Sequence, residues 1–161
     1  MSYAHAILES NLPPLRAYLQ ILDALNARHF SATNGRPASF EEGLSGLSPG
    51  ERALILATDF RNQVYSDGFH DYFGNTNCSH AHETARGFDL IGLPEAAEFL
   101  RRALSARQVP DPLPENYVYD HAEKEPSELA QLSREFYKAR PDAGLEAAAV
   151  RYVRQHPEEF A

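Results

Sequence analysis

Apolar residues recur along this chain at spacings of three and four, and no stretch of useful length alternates with period two. A chain patterned in this way buries helix faces and has no strand faces to pair. Proline, glycine and capping residues fall between the periodic segments, where helices start and stop. The pattern therefore predicts an all-α fold of about seven helices with essentially no sheet.

The segments can be followed in order. Leu15, Tyr18, Leu19, Leu22 and Leu25 form a stripe behind Pro13-Pro14, which suit a first helical turn, and this helix is expected to stop near Thr33-Asn34-Gly35-Arg36-Pro37. Ser48-Pro49-Gly50-Glu51 reads as a capping box with proline at the first helical position. From it Leu54, Ile55, Thr58, Phe60, Val64 and Tyr65 lead to a break at Asp67-Gly68. A short aromatic helix, Phe69 to Phe73, is closed by Gly74-Asn75. Asn77 or Ser79 is expected to cap the next helix, which carries Ala81, Ala85, Phe88 and Ile91 and ends at Gly92. Pro94 opens another, burying Ala97, Leu100, Ala103 and Leu104. Val109-Pro110-Asp111-Pro112-Leu113-Pro114 cannot be helical and is expected to run extended. Leu129, Leu132, Phe136 and Ala139 mark a helix ending before Pro141. Leu145, Ala148, Ala149, Tyr152 and Val153 mark the last, with Asp142 as expected cap and Pro157 as stop.

At 161 residues, 43% of them hydrophobic, the chain suits one domain with an ample core. We expect a main bundle over 1–108, a Pro-rich acidic connector over 109–126, and a helical hairpin over 127–157 packed back on it. The lone cysteine, Cys78, excludes an intrachain disulfide and fits a reducing compartment. Residues 1–14 show neither a basic nor a long apolar region of the secretory kind. The longest aliphatic run, Ala53 to Ala57, is far short of a membrane span. A cytoplasmic protein without a membrane partner is expected.

Fifteen Lys and Arg stand against 23 Asp and Glu, a net charge of −8. That balance argues against direct nucleic-acid binding, where phosphate contacts demand clustered cations. The excess is uneven: residues 111–128 hold Asp111, Glu115, Asp120, Glu123, Glu125 and Glu128 against Lys124 alone, a net −5. Tyr117, Val118 and Tyr119 interleave with these acids. The strip reads either as a solvated connector tacked down by its tyrosines or as an acidic ligand surface. Asp67 and His70 are the expected exposed members of the Gly68 to Asn75 motif. With Glu95, Glu98, Asp120, Glu123, Glu125 and Glu128 they make up the candidate partner-binding set.

Catalytic chemistry finds less support. His70, Cys78, His80, His82 and Glu83 offer metal-ligating atoms, the basis of an alternative reading as a small metal-dependent hydrolase. They lack the paired spacings of known sites, and His80 and His82 would lie about 200° apart on a helix. Ser66 near Asp67 and His70 has no nucleophile elbow, and neither usual phosphate-binding glycine loop is present. No metal or other cofactor and no enzymatic activity are expected.

The stretch Gln63-Val64-Tyr65-Ser66-Asp67-Gly68-Phe69-His70-Asp71-Tyr72-Phe73-Gly74-Asn75 resembles a segment of a bacterial all-helical family, formerly a domain of unknown function. The family pattern is E/Q-V-N-N-G-G-F-x-Q-Y/F-F-x-N. Gly68, Phe69, Tyr72, Phe73 and Asn75 match it, whereas Tyr65, Ser66, Asp67 and Asp71 stand where the family has Asn, Asn, Gly and Gln. Ala85, Phe88, Ile91-Gly92 and Ala96-Ala97 through Ala103 resemble the next part of the family pattern, a helix, an Ile-Gly pair and a helix with small residues. The likeness covers about residues 50–106. The resemblance implies an all-α, dimeric, non-enzymatic protein. It also implies, from a DNA-mimic member, an acidic surface that occupies a DNA-binding transcription factor.

Overall fold

The computed structural model describes residues 11–31 and 39–160. Among the described residues there are seven α-helices and no strand, as the periodicity predicts. They are α1 (Pro14–His29), α2 (Phe40–Ser45), α3 (Pro49–Thr76), α4 (Ala81–Leu90), α5 (Pro94–Ala106), α6 (Ser127–Ala139) and α7 (Leu145–Gln155). A 3₁₀ turn, Pro157–Phe160, comes after α7. The contacts divide the chain into two compact units, residues 1–55 with 144–161, and residues 56–143. The helices expected as a C-terminal hairpin fall in different units, α6 in the second and α7 in the first.

In the first unit α1 packs against α7 and α2. The α1 face differs from the expected stripe: Ala17, Tyr18, Ile21, Leu22 and Leu25 are buried, while Leu15 and Leu19 are 55% and 49% exposed. An α-helix turns 100° per residue, so a stripe through Ala17 and Ile21 displaces Leu15 and Leu19 to the flank. The expected stop at Thr33 to Pro37 lies outside the described residues; α1 itself ends at His29. Helix α2 is an addition to the expected elements, although its capping box is present in the sequence. Ser39 Oγ accepts from the Glu42 amide, and Glu42 accepts from the Ser39 amide at 2.7 Å.

The start of α3 is as the sequence predicts. Ser48 Oγ accepts from Glu51 N–H at 3.2 Å, and Glu51 Oε2 accepts from Ser48 N–H at 2.9 Å. Glu159 adds a further acceptor, taking the Gly50 amide at 2.6 Å, so the 3₁₀ turn helps satisfy this helix terminus. Asp142, by contrast, does not cap α7, whose N-cap is Gly144 with no side-chain hydrogen bond. Asp142 is buried and accepts from the Tyr65 hydroxyl at 2.8 Å; a tertiary partner took the carboxylate that local spacing offered to the helix.

The second unit is built around Phe60. Its ring lies 5.0 Å from Tyr72, 5.3 Å from Phe88, 5.7 Å from Phe136 and 5.9 Å from Phe69. Three of these pairs are edge-on, the geometry that ring quadrupoles favour. Helix α5 packs between α4 and α6, burying Ala96, Ala97, Leu100, Ala103 and Leu104. Gly92, at φ 85°, is the residue after the α4 C-cap, and Leu93 N–H bonds back to Phe88 O at 2.8 Å. The expected caps Asn77 and Ser79 are not the cap of α4; His80 holds that position without a side-chain bond. Asn77 and Cys78 take positive φ instead, and the Asn77 side chain is spent on the connector.

Candidate functional site

The site grows from a break in one helix. Gly68 lies inside α3 with φ 84° and ψ −178°, a region open essentially to glycine alone. A break of this kind removes helical partners from the backbone groups around it. Helix α6 supplies replacements: Ser133 Oγ accepts from Phe69 N–H at 3.1 Å, and the Tyr137 hydroxyl donates to Val64 O at 2.7 Å. Ser133 and Tyr137 are one turn apart, so a single helix face plugs both gaps. The approach is close enough that a Cβ on residue 68 would lie 3.0 Å from Ser133 Oγ. Beyond the break, Phe69, Tyr72 and Phe73 are buried as expected. Asn75, grouped with them from the sequence, is exposed.

The connector lies against the second half of α3, in three steps. Asn77 clasps it with both ends of its amide, Nδ2 donating to Tyr117 O at 2.8 Å and Oδ1 accepting from Tyr119 N–H at 2.7 Å. Tyr119 packs 5.6 Å from Phe73. His121 sits over Gly74, where a Cβ would come within 2.2 Å of its ring, and bonds Asp71 at 2.7 Å. Val118, between the two anchored tyrosines, is 81% exposed. The tyrosines thus do tack the segment down, with no strand at its centre.

His70 corrects an expectation. It is buried, not a surface contact, with one ring nitrogen 2.8 Å from the Tyr119 hydroxyl and the other 3.1 Å from Glu123 O. A carbonyl only accepts, so Nε2 bears the hydrogen and, in the neutral ring, Nδ1 accepts from Tyr119. The i, i+1 offset from Phe69 turns His70 toward the connector, whose covering role was not legible locally.

The candidate carboxylates separate by environment. Glu123 pairs with Arg107 at 2.6 Å, and Asp111 with Arg86 at 2.8 Å. Glu98 lies 4.0 Å from Arg101, and Glu128 lines the same groove of about 700 Å³ as Arg101 and Arg102. Asp120 accepts from the Glu123 amide at 3.1 Å, and Glu95 is exposed at the start of α5. Asp67 and Glu125, both exposed, make no ion pair among the described residues. Both act on one group. The Tyr137 hydroxyl is held above the usual tyrosine range by burial first, then by the charges of Glu125, Asp67 and Asp71. Motif and connector, far apart in sequence, therefore share one acidic neighbourhood around Tyr137.

The alternative ligand set does not converge. His80 faces Glu83 at 3.4 Å, His82 Nε2 donates to Val109 O at 3.0 Å, and His70 is committed to the connector. Cys78 is buried, and desolvation pushes its thiol up to about 11, away from the thiolate form that ligates or attacks. Among the described residues, the side chains whose ligating atoms gather within 4.8 Å are His156, Glu158 and Glu159. There Glu159 already accepts from the Gly50 amide and the Tyr152 hydroxyl.

No curated protein and no solved structure matches this chain. Residues 45–156 match the family described as DMP19-like protein, a span that runs from the α3 capping box through the Gly68 break and the connector to the end of α7. With well over half of its 161 residues matched, the chain belongs to the DMP19-like protein family.

Proposed function

We propose that this chain is a non-enzymatic binding protein that presents an acidic surface to a basic protein, with its carboxylates standing where a duplex would carry phosphates. The partner class is a DNA-binding regulator. The observation that carries the proposal is the exposure of Asp67 and Glu125 on a chain of net charge −8. Neither Asp67 nor Glu125 is used by the fold in an ion pair among the described residues. Isolated charges of that kind steer and hold a cationic surface, and do so in a salt-dependent way.

The test is capture on the immobilised chain of DNA-binding proteins from its own host, followed by competition. Bound protein should elute as salt rises and should be displaced by duplex DNA, because chain and duplex would occupy one surface. Asp67→Asn with Glu125→Gln should cut capture about tenfold while leaving the melting temperature unchanged. Capture indifferent to salt and to duplex would overturn the proposal.

A further inference from the structure

Beside Asp67 stand two tyrosines that the acidic reading does not use. Tyr65 and Tyr137 are stacked, 5.7 Å between centroids at 30°, yet remain 39% and 37% exposed. Their hydroxyls are tied inward, Tyr65 to Asp142 and Tyr137 to Val64 O, and Tyr65 leans on the buried Phe136 at 5.5 Å. Both rings are therefore held in place before any ligand arrives, which removes most of the ordering cost of binding. The outer faces of the two rings form an aromatic surface open to solvent. The charges of Glu125, Asp67 and Asp71 act on Tyr137, and His121 already engages Asp71. Arg140 acts on the Tyr65 hydroxyl, so the cation already present is at the hydroxyl end.

Resting on the acidic-surface reading above, we infer that the Tyr65–Tyr137 pair rimmed by Asp67 and Glu125 is a subsite for an arginine side chain of the basic partner. A planar guanidinium stacks on an aromatic face while its edge N–H groups reach a carboxylate. An ammonium is compact and strongly hydrated, and gains less from the ring. Tyrosine and arginine are also the residues over-represented where interfaces concentrate their binding energy. The site therefore commits to arginine over lysine, a discrimination that charge alone cannot make.

Hexa-arginine and hexa-lysine, equal in charge, provide the test, followed through tyrosine fluorescence in a protein that has no tryptophan. Hexa-arginine should bind about fivefold more tightly. Tyr137→Leu should abolish that preference, and Tyr137→Phe, which keeps the ring, should retain it. Should Tyr137→Leu fail to fold, Asp67→Asn with Glu125→Gln, on exposed positions, must weaken hexa-arginine at least threefold. Equal affinities for the two peptides would overturn the arginine subsite and leave the acidic-surface reading standing, provided that binding falls with salt. A preference for arginine that survives both Tyr137→Leu and the double acid variant would place it elsewhere and also overturn the inference. Binding of neither peptide at low salt would remove the acidic-surface reading itself.

Discussion

Replacing Gly68 by alanine tests the arrangement on which the site rests. At φ 84° and ψ −178° a Cβ costs about 1–3 kcal/mol in backbone strain. The new methyl would lie 3.0 Å from Ser133 Oγ, closer than real Cβ atoms normally tolerate, and 3.5 Å from the Tyr137 hydroxyl. Ser133 is on a helix and buried, so it has little room to yield. Shifting it breaks the 3.1 Å bond from Phe69 N–H, which adds about 1 kcal/mol, more if the buried amide is left without an acceptor. The total is about 2–4 kcal/mol, and Gly68→Val should fall at the upper end. For a chain of this length that lowers the melting temperature by roughly 5–15 °C, measured by thermal unfolding in far-UV circular dichroism. Ser133→Ala should be destabilising alone but add little on top of Gly68→Ala, since both remove the same hydrogen bond. Gly74→Ala is the contrast. Its clash is with exposed His121, and no positive φ is involved, so its cost should be smaller and confined to the connector. A Gly68→Ala protein melting within about 1 °C of the parent would refute the argument.

Phe73→Ala, which empties a fully buried position against Phe69 and Tyr119, should cost about 3–5 kcal/mol by urea unfolding. Asn77→Ala removes both clasps on the connector and places a Cβ-bearing residue of lower left-handed tolerance at φ 49°. Amide hydrogen exchange should then rise across residues 117–123 while α4 and α5 stay protected. Tyr65, Tyr119 and Tyr152 are each pushed up to about 12, chiefly by burial. A raised tyrosine value stabilises the fold fully below the unfolded value near 10, and that contribution is lost as pH climbs toward 12. An ultraviolet titration should therefore show late-ionising tyrosines whose deprotonation coincides with loss of helicity. Cys78 should resist alkylation in the native protein and react at the rate of a free thiol in urea, because its thiol is buried and pushed up to about 11.

Much of the fold is legible along the chain because its causes are local. The capping box at Ser48 and Glu51, the proline starts of α1 and α5 and the positive φ of Gly68 and Gly92 each depend on residues within a turn of one another. The buried triplet Phe69, Tyr72 and Phe73 follows from helical spacing alone. The capping box of α2 is equally local, but the helix behind it has six residues, too few to show a periodic stripe.

The errors share another cause. Asp142, Asn77 and Ser79 have the right side chains to cap a helix, but a cap is one of several acceptors or donors that compete for a buried group. Tyr65 won Asp142, and the connector won Asn77. His70 reads as a surface residue because nothing within a turn of it covers it. Its cover is Tyr119 and Glu123, some 49 and 53 residues on.

By itself, then, the sequence determined the longer helices, the proline and capping-box starts of α1, α3 and α5, the break at Gly68 and the acid excess, since each follows from spacing, propensity or a count. Only the tertiary structure decided which of those acids are paired inside the fold. Arg107 took Glu123 and Arg101 lies 4.0 Å from Glu98, while Asp67 and Glu125 make no ion pair among the described residues. Charge is carried by a residue, but whether it is spent inside the fold or offered outside depends on which opposite charge packing brings within a few ångströms.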